Sequence, residues 1–283
     1  KEEAAGAMRN LSVNHDNSVA IAAAGGIEVF MSLARDGNEA QKERAAWALR
    51  NLSVNDDNRV AIAAAGGVEV LVALARDGTE WQKEEAAGAL FNLSVNDDNS
   101  VAIAAAGVVE VLVSLARDGN GAQKEEAAGA LRNLAHNDDN SVAIAAAGGV
   151  EVLVSLARDG SEVQKERAAG ALCNLAYNDD NEAATVAAGG IEIFMSLARD
   201  GNEAQKECAA GTLFNLSMNE DNKEAIVAAG GIELFVAMAR DGTEAHKENA
   251  AGTLANLAIN DENSVAIAAA GGVEVLIALA RDG

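Results

Sequence analysis

The segment Thr79-Glu80-Trp81-Gln82-Lys83-Glu84-Glu85-Ala86-Ala87-Gly88-Ala89-Leu90-Phe91-Asn92-Leu93 carries its own start signal and its own register mark. Thr79 followed by Gln82 has the form of a capping box, in which the glutamine reaches back to the cap backbone. The alanine- and leucine-rich run behind it predicts a helix. The box returns as Asn38…Gln41, Asn120…Gln123, Ser161…Gln164 and Asn202…Gln205. The asparagine of its Asn-Leu pair returns as Asn10, Asn51, Asn92, Asn133, Asn174, Asn215 and Asn256, each 41 residues from the last. Arg-Asp-Gly ends at Gly37, Gly78, Gly119, Gly160, Gly201, Gly242 and Gly283 at the same interval, without insertion or deletion. A period of this length is the mark of a repeat array.

Working outward within one period, Asn55-Asp56-Asp57-Asn58 supplies Asx residues suited to N-capping, followed by Val60 to Ala65 as a short helix. Gly66 and Gly67 end it. A second helix follows with Glu69 in its first turn and stops at Asp77-Gly78, where the glycine is expected as a C′ residue. The capping-box helix is the third. No unit of this size buries its apolar face alone, so neighbours must stack. The chain is expected to be all-α: a single solenoid over 1–283, with a partial repeat 1–13, six full repeats 14–259 and a partial repeat 260–283.

Composition agrees. The chain is 49% apolar but 3% aromatic, with 27 glycines and no proline, and it lacks strand-like alternation. A formal charge of −23 disfavours nucleic acid and anionic membranes as partners and favours basic peptides or proteins; the same acidity also serves solubility. No run reaches the length of an apolar membrane span, and Lys1 in place of methionine suggests a piece of a longer chain. Cys173 and Cys208 fall on equivalent helices six positions apart in register. About 1.5 Å per residue along the axis, taken at right angles to about 8–10 Å between helices, places them roughly 12–13 Å apart, beyond disulfide reach. Free thiols then point to an intracellular compartment, cytoplasm or nucleus.

Ala61-Ile62-Ala63-Ala64-Ala65-Gly66-Gly67-Val68-Glu69-Val70-Leu71-Val72-Ala73-Leu74-Ala75, followed by Ala86-Ala87-Gly88-Ala89-Leu90-Phe91-Asn92-Leu93-Ser94, resembles an armadillo repeat, and the resemblance covers the whole chain. Trp47-Ala48-Leu49-Arg50-Asn51-Leu52 is nearest to that family's Trp-x-x-x-Asn pattern. The resemblance implies a right-handed α-solenoid of about seven three-helix units, with third helices lining a concave groove. Two departures stand out. Glu28, Glu69, Glu110, Glu151, Glu192, Glu233 and Glu274 occupy the place where many armadillo repeats have proline. The tryptophan survives only as Trp47 and is otherwise Gly6, Gly88, Gly129, Gly170, Gly211 and Gly252, which counts against recognition of nuclear-import signals.

With the asparagine as position 0, positions −11, −7, −4 and 0 share a helix face. Position −7 reads Glu3, Arg44, Glu85, Glu126, Arg167, Cys208, Asn249, and position −1 reads Arg9, Arg50, Phe91, Arg132, Cys173, Phe214, Ala255. A face that varies beside an unvarying leucine at +1 is expected to meet solvent. A carboxamide offers a donor and an acceptor, matching an extended peptide unit. Repeats about 10 Å apart would meet a strand every two to three residues. The resemblance implies that these asparagines hold a peptide backbone while variable neighbours choose its side chains; the open alternative is that they tie adjacent third helices together.

The specificity candidates are Arg44, Trp47, Arg50, Trp81, Glu85 and Phe91, with Glu126, Arg132 and Arg167 beyond them. Aromatics and arginine on one face have the composition of a hot spot, and packing at repeat junctions accounts for them equally. His15, His136 and His246 occupy different repeat positions, so no metal set forms, and no catalytic or cofactor constellation is present. The Asn-Asp-Asp-Asn clusters lack calcium-loop spacing. The expected function is a non-enzymatic scaffold for a protein or extended peptide. The second reading is an element stacking end to end through uncapped repeats, against the simpler one that the ends lie elsewhere in a longer chain.

Overall fold

The computed structural model describes residues 2–96, 99, 103, 104 and 106–282. Lys1 and Gly283, the outer residues of the two partial repeats, and most of the expected first helix of residues 96–136 lie outside the described residues. Among the described residues there are twenty helices and no strand. One period runs Asp56–Ala64, Gly67–Asp77, Glu80–Leu93, and the same three bounds recur around the chain. Its contacts cluster into two units, Lys1–Ala171 and Leu172–Gly283.

Each helix starts and stops for a local reason. Asn55 caps the first helix by accepting from Asn58 N at 3.1 Å. Ala65 closes it, and Gly66 follows with φ +76°, a left-handed conformation that costs an L side chain about 1–2 kcal/mol. The six equivalent glycines share it. The glycine of Arg-Asp-Gly behaves differently from expectation. Gly78 has φ −76° and ψ 175°, so it is extended rather than left-handed. Its need for glycine is one of space: a Cβ there would lie 2.5 Å from Leu74 O and 2.8 Å from the Gln82 side chain.

All five capping boxes form, and Thr243…His246 makes a sixth, with His246 Nδ1 accepting from Thr243 N at 3.4 Å. The glutamine does a second job. Its Nε2 donates to a carbonyl at the start of the preceding third helix: Gln82 to Glu39 O at 3.2 Å, Gln123 to Glu80 O at 2.8 Å, Gln164 to Gly121 O at 2.9 Å. The Asx cluster likewise divides its labour. Asn55 is the cap, whereas Asn58 is buried and donates to Leu52 O at 3.2 Å, pinning the corner between a third helix and the next first helix. Asn99, Asn181 and Asn222 repeat this with Leu93, Leu175 and Leu216.

The core is layered by helix. Second helices contribute Phe30, Leu71, Leu112 and Leu153 in the first unit and Phe194 and Phe235 in the second, all fully buried. Several first helices contribute a single buried isoleucine, such as Ile62 and Ile144. Third helices bury alanine and leucine, as Ala45, Ala46, Ala48, Leu49 and Leu52 do. Small residues allow third helices to pack directly on one another within each unit. Among the described residues no single helix is long and apolar enough to cross a membrane.

Thr185 stands where the other first helices have isoleucine; it is fully buried and its Oγ1 has no partner. Removing an unsatisfied buried hydroxyl while adding a methylene should stabilise the second unit. Thr185→Ile is expected to raise the unfolding free energy by about 1–3 kcal/mol. A denaturant midpoint that stays put or falls would show that the site has no room for the larger chain.

Candidate functional site: the third-helix face

The ladder asparagines Asn51, Asn92, Asn133, Asn174, Asn215 and Asn256 are half-buried, and Asn10 is exposed. Asn92 Nδ2 donates to Arg50 O and Ser53 Oγ, both at 3.1 Å, and Asn133 Nδ2 to Phe91 O at 3.4 Å and Ser94 Oγ at 3.1 Å. Asn51 reaches Ser12 Oγ at 3.1 Å and Asn256 reaches Ser217 Oγ at 2.9 Å. Each of these serines donates in turn to a carbonyl of its own helix, Ser53 to Arg50 O at 2.7 Å and Ser94 to Phe91 O at 2.8 Å. The N–H groups of Asn51, Asn92, Asn133 and Asn256 therefore tie one third helix to the one before it. In Asn92 and Asn133 both are engaged in this way, so what is left for a peptide is the carbonyl oxygen. No described protein group donates to Oδ1 of Asn51, Asn92, Asn133 or Asn256.

The glycines at −4 also gain a reason. A Cβ on Gly88 would lie 2.5 Å from Arg50 Nε, one on Gly129 3.0 Å from the Phe91 ring, one on Gly170 2.7 Å from Arg132 Nε, and one on Gly252 2.5 Å from the Phe214 ring. Arg50, Phe91, Arg132 and Phe214 thus lie across the next third helix, on the place a tryptophan would fill. Where tryptophan remains, the same contact becomes a stack: the Arg9 guanidinium sits 3.5 Å from the Trp47 ring centroid. Trp47 meets Trp81 edge to face, with centroids 5.6 Å apart.

Past the glycine, the −1 residue reaches the −7 residue of the next helix, so this face holds neighbours 35 residues apart as well as the 41-apart pair Glu126–Arg167. Arg50 and Glu85 pair at 3.2 Å by this rule. It also corrects the expectation for the cysteines. Cys173 and Cys208 have Cα atoms 6.2 Å apart and are joined as a disulfide within the second unit. A six-residue offset spans about 9 Å along a helix axis, more than the observed separation, so equivalent positions do not stand level on these adjacent third helices, and glycine and alanine let the helices close up. Combining a level offset with standard helix spacing missed both effects. The argument from free thiols to a reducing compartment loses its basis.

In the first unit the predicted specificity residues mostly contact one another. Arg50 bridges two repeats, donating to Glu85 at 3.2 Å and to Glu126 Oε1 at 2.5 Å. Arg167 donates to Glu126 Oε2 at 2.9 Å and lies 4.7 Å from the Phe91 centroid. Burial pushes the Glu85 carboxyl above the ordinary carboxylate range; Arg50 pulls it back, and Glu84 and Glu126 push in the same direction as burial. At the other end, burial and then the neighbouring Arg44 hold Arg9 below the usual arginine range. Arg132 covers Gly170, while Arg44 approaches Gly6. Of these, Arg9, the serine relay and the cysteine pair were absent from the sequence-based candidates, although the Asn-Leu-Ser pattern was in view. Among the described residues no group of three or more His, Cys, Asp or Glu side chains could hold a metal ion.

A family model described as the plant U-box protein ARM repeat region matches residues 26–281. No curated protein matches. Among solved structures, an engineered protein from the Northeast Structural Genomics Consortium is 38% identical, covering 98% of this chain and 69% of its own, with TM-score 0.87. A second engineered protein from that consortium is 34% identical over 82% of this chain and 96% of its own, with TM-score 0.73. A designed armadillo repeat protein in complex with the peptide (KR)4 is 22% identical over 82% of this chain and 99% of its own, with TM-score 0.71.

Two measurements check this site. Thiol titration of the unfolded, unreduced chain should find no reactive cysteine, and reduction should release two and lower stability by about 3–4 kcal/mol, as for a closed loop of this length. Two thiols without reductant would contradict the bond. Glu85 binds its proton more tightly in the folded chain. It therefore favours folding below the unfolded carboxylate range, and that contribution is lost as pH rises through the raised value. The stability of the wild type relative to Glu85→Gln is expected to fall as pH rises from the unfolded carboxylate range through the raised folded-state value. A difference that does not change with pH would refute the shift.

Proposed function

Because this chain belongs to the plant U-box protein ARM repeat region family, we propose that it is a non-enzymatic scaffold that holds an extended segment of a partner protein along its third-helix face. The observation that carries this reading is the row of half-buried carboxamides Asn51, Asn92 and Asn133, whose oxygens accept from no described group. An acceptor every about 10 Å meets the N–H of every third residue of a strand that rises about 3.3 Å per residue. Anchored by their N–H groups to the preceding helix, these oxygens are pre-oriented, so little ordering is required when a peptide arrives.

The side chains at −1, −4 and −7 flank that row and differ from repeat to repeat, which gives each segment of the face its own preference. With a chain charge of −23, a basic segment is the favoured guest, and nucleic acid and anionic membranes are disfavoured. The (KR)4 complex of the designed armadillo protein is in line with that preference.

The test is a peptide array probed with the wild type and with Asn51→Ala, Asn92→Ala and Asn133→Ala combined. Three lost hydrogen bonds at about 0.5–1.5 kcal/mol each should weaken captured peptides by about tenfold or more. Circular dichroism of the triple variant guards against unfolding. An array in which no segment is captured, or in which a helical triple variant binds every segment unchanged, would rule the reading out.

A further inference from the structure

We propose that Arg50 and Arg167 are internal stand-ins for basic side chains of the bound segment, and that Glu85 and Glu126 form the subsites they occupy until a Lys/Arg-rich peptide takes their place. This inference rests on the scaffold reading and adds to it a ligand class and a competitor built into the chain.

The layering of the four groups argues for it. The carboxylates are the inner layer, with side-chain exposures of 7% for Glu85 and 12% for Glu126; the arginines lie outside, at 31% for Arg50 and 23% for Arg167. Glu126 receives one guanidinium on each oxygen, Oε1 from Arg50 and Oε2 from Arg167. Glu85 receives one, on Oε2. Each guanidinium also has a flat seat. Arg50 rests over Gly88, where no side chain intervenes, and Arg167 rests on the Phe91 ring at 4.7 Å. A carboxylate on one side and a flat floor on the other is the environment a guanidinium ligand requires.

Both arginines come from helices flanking the subsites and lie on their solvent side, so removing them exposes the carboxylates without opening the core. The sign of the guest follows from the cost of the alternatives. An acidic segment could engage these arginines only by drawing them from Glu85 and Glu126, which would leave buried charge unpaired. A basic guest exchanges one cation for another and leaves every carboxylate paired. The price is competition: a tethered arginine acts at a local concentration of about millimolar, and apparent affinity falls by the fraction of time the subsite is open.

The experiment measures anisotropy of a labelled alternating Lys-Arg octapeptide with the wild type, Arg50→Ala, Arg167→Ala, and Arg50→Ala carrying Glu85→Gln and Glu126→Gln. Arg50→Ala and Arg167→Ala should each bind about tenfold tighter than the wild type, since a hydrogen-bonded charged competitor has gone. The added glutamines should abolish that gain. Arg167→Ala serves as the independent variant if Arg50→Ala proves unstable by circular dichroism. Equal or weaker binding by helical arginine variants overturns the exchange, as does a gain that survives the glutamines or a wild-type preference for a Glu-rich octapeptide. Equal binding would leave the scaffold reading standing, whereas an array that captures nothing removes the scaffold reading first.

Discussion

Third helices in this protein lie so close together that there is no room between them for two full side chains. Ala45, Ala46 and Ala48 are fully buried along one such helix, and glycine occupies position −4 of the following ones. A helical glycine destabilises by about 1 kcal/mol relative to alanine, so its recurrence requires a compensating contact. That contact is the −1 side chain of the preceding repeat, arginine or phenylalanine laid across the gap. From this one arrangement follow the Arg50–Glu85 pair, the Phe91–Arg167 stack and the Cys173–Cys208 bond. The lost tryptophans are replaced by side chains arriving from the neighbour.

Close stacking also brings backbone carbonyls and polar side chains out of water, and buried polar groups need partners. Three carboxamides per repeat supply them. Gln82 reaches the start of the previous third helix, Asn92 reaches its end, and Asn58 fastens the turn that leaves it. Gln82 makes a local contact as well, accepting from Thr79 N, so the same residue shapes its own helix and docks it. The His246 substitution keeps the local half of that role through Nδ1, while its buried Nε2 finds no partner.

Much of this was legible in the residues. The 41-residue interval, the capping boxes and the left-handed glycine at Gly66 follow from patterns that act within a few residues, and they form as read. Periodicity also put the ladder asparagine and its variable neighbours on one face. It could not say what that face touches. A repeat makes residues 41 apart equivalent, and equivalence invites the assumption that they are neighbours. Close packing of helices whose equivalent positions are not level also makes neighbours of residues 35 apart, such as Cys173 and Cys208, whose separation a level arrangement overstates. The same gap hid Arg50 as the partner of Glu85, and a reach of 76 residues hid it as a partner of Glu126. The Asn-Leu-Ser pattern was visible, yet a serine that accepts from one helix and donates within another has no signature in either helix alone.

Arg50 touches Glu85 in the next repeat and Glu126 in the one after, 76 residues away. Sequence identity between units therefore overstates their independence. A repeat lifted out and inserted elsewhere would carry its asparagine and caps intact but would leave its arginine without acceptors and its glycine without a lodger. Recombination among such units is free only where adjacent −1, −4 and −7 residues travel together, so the heritable module on this face spans three repeats, although the folding period is one.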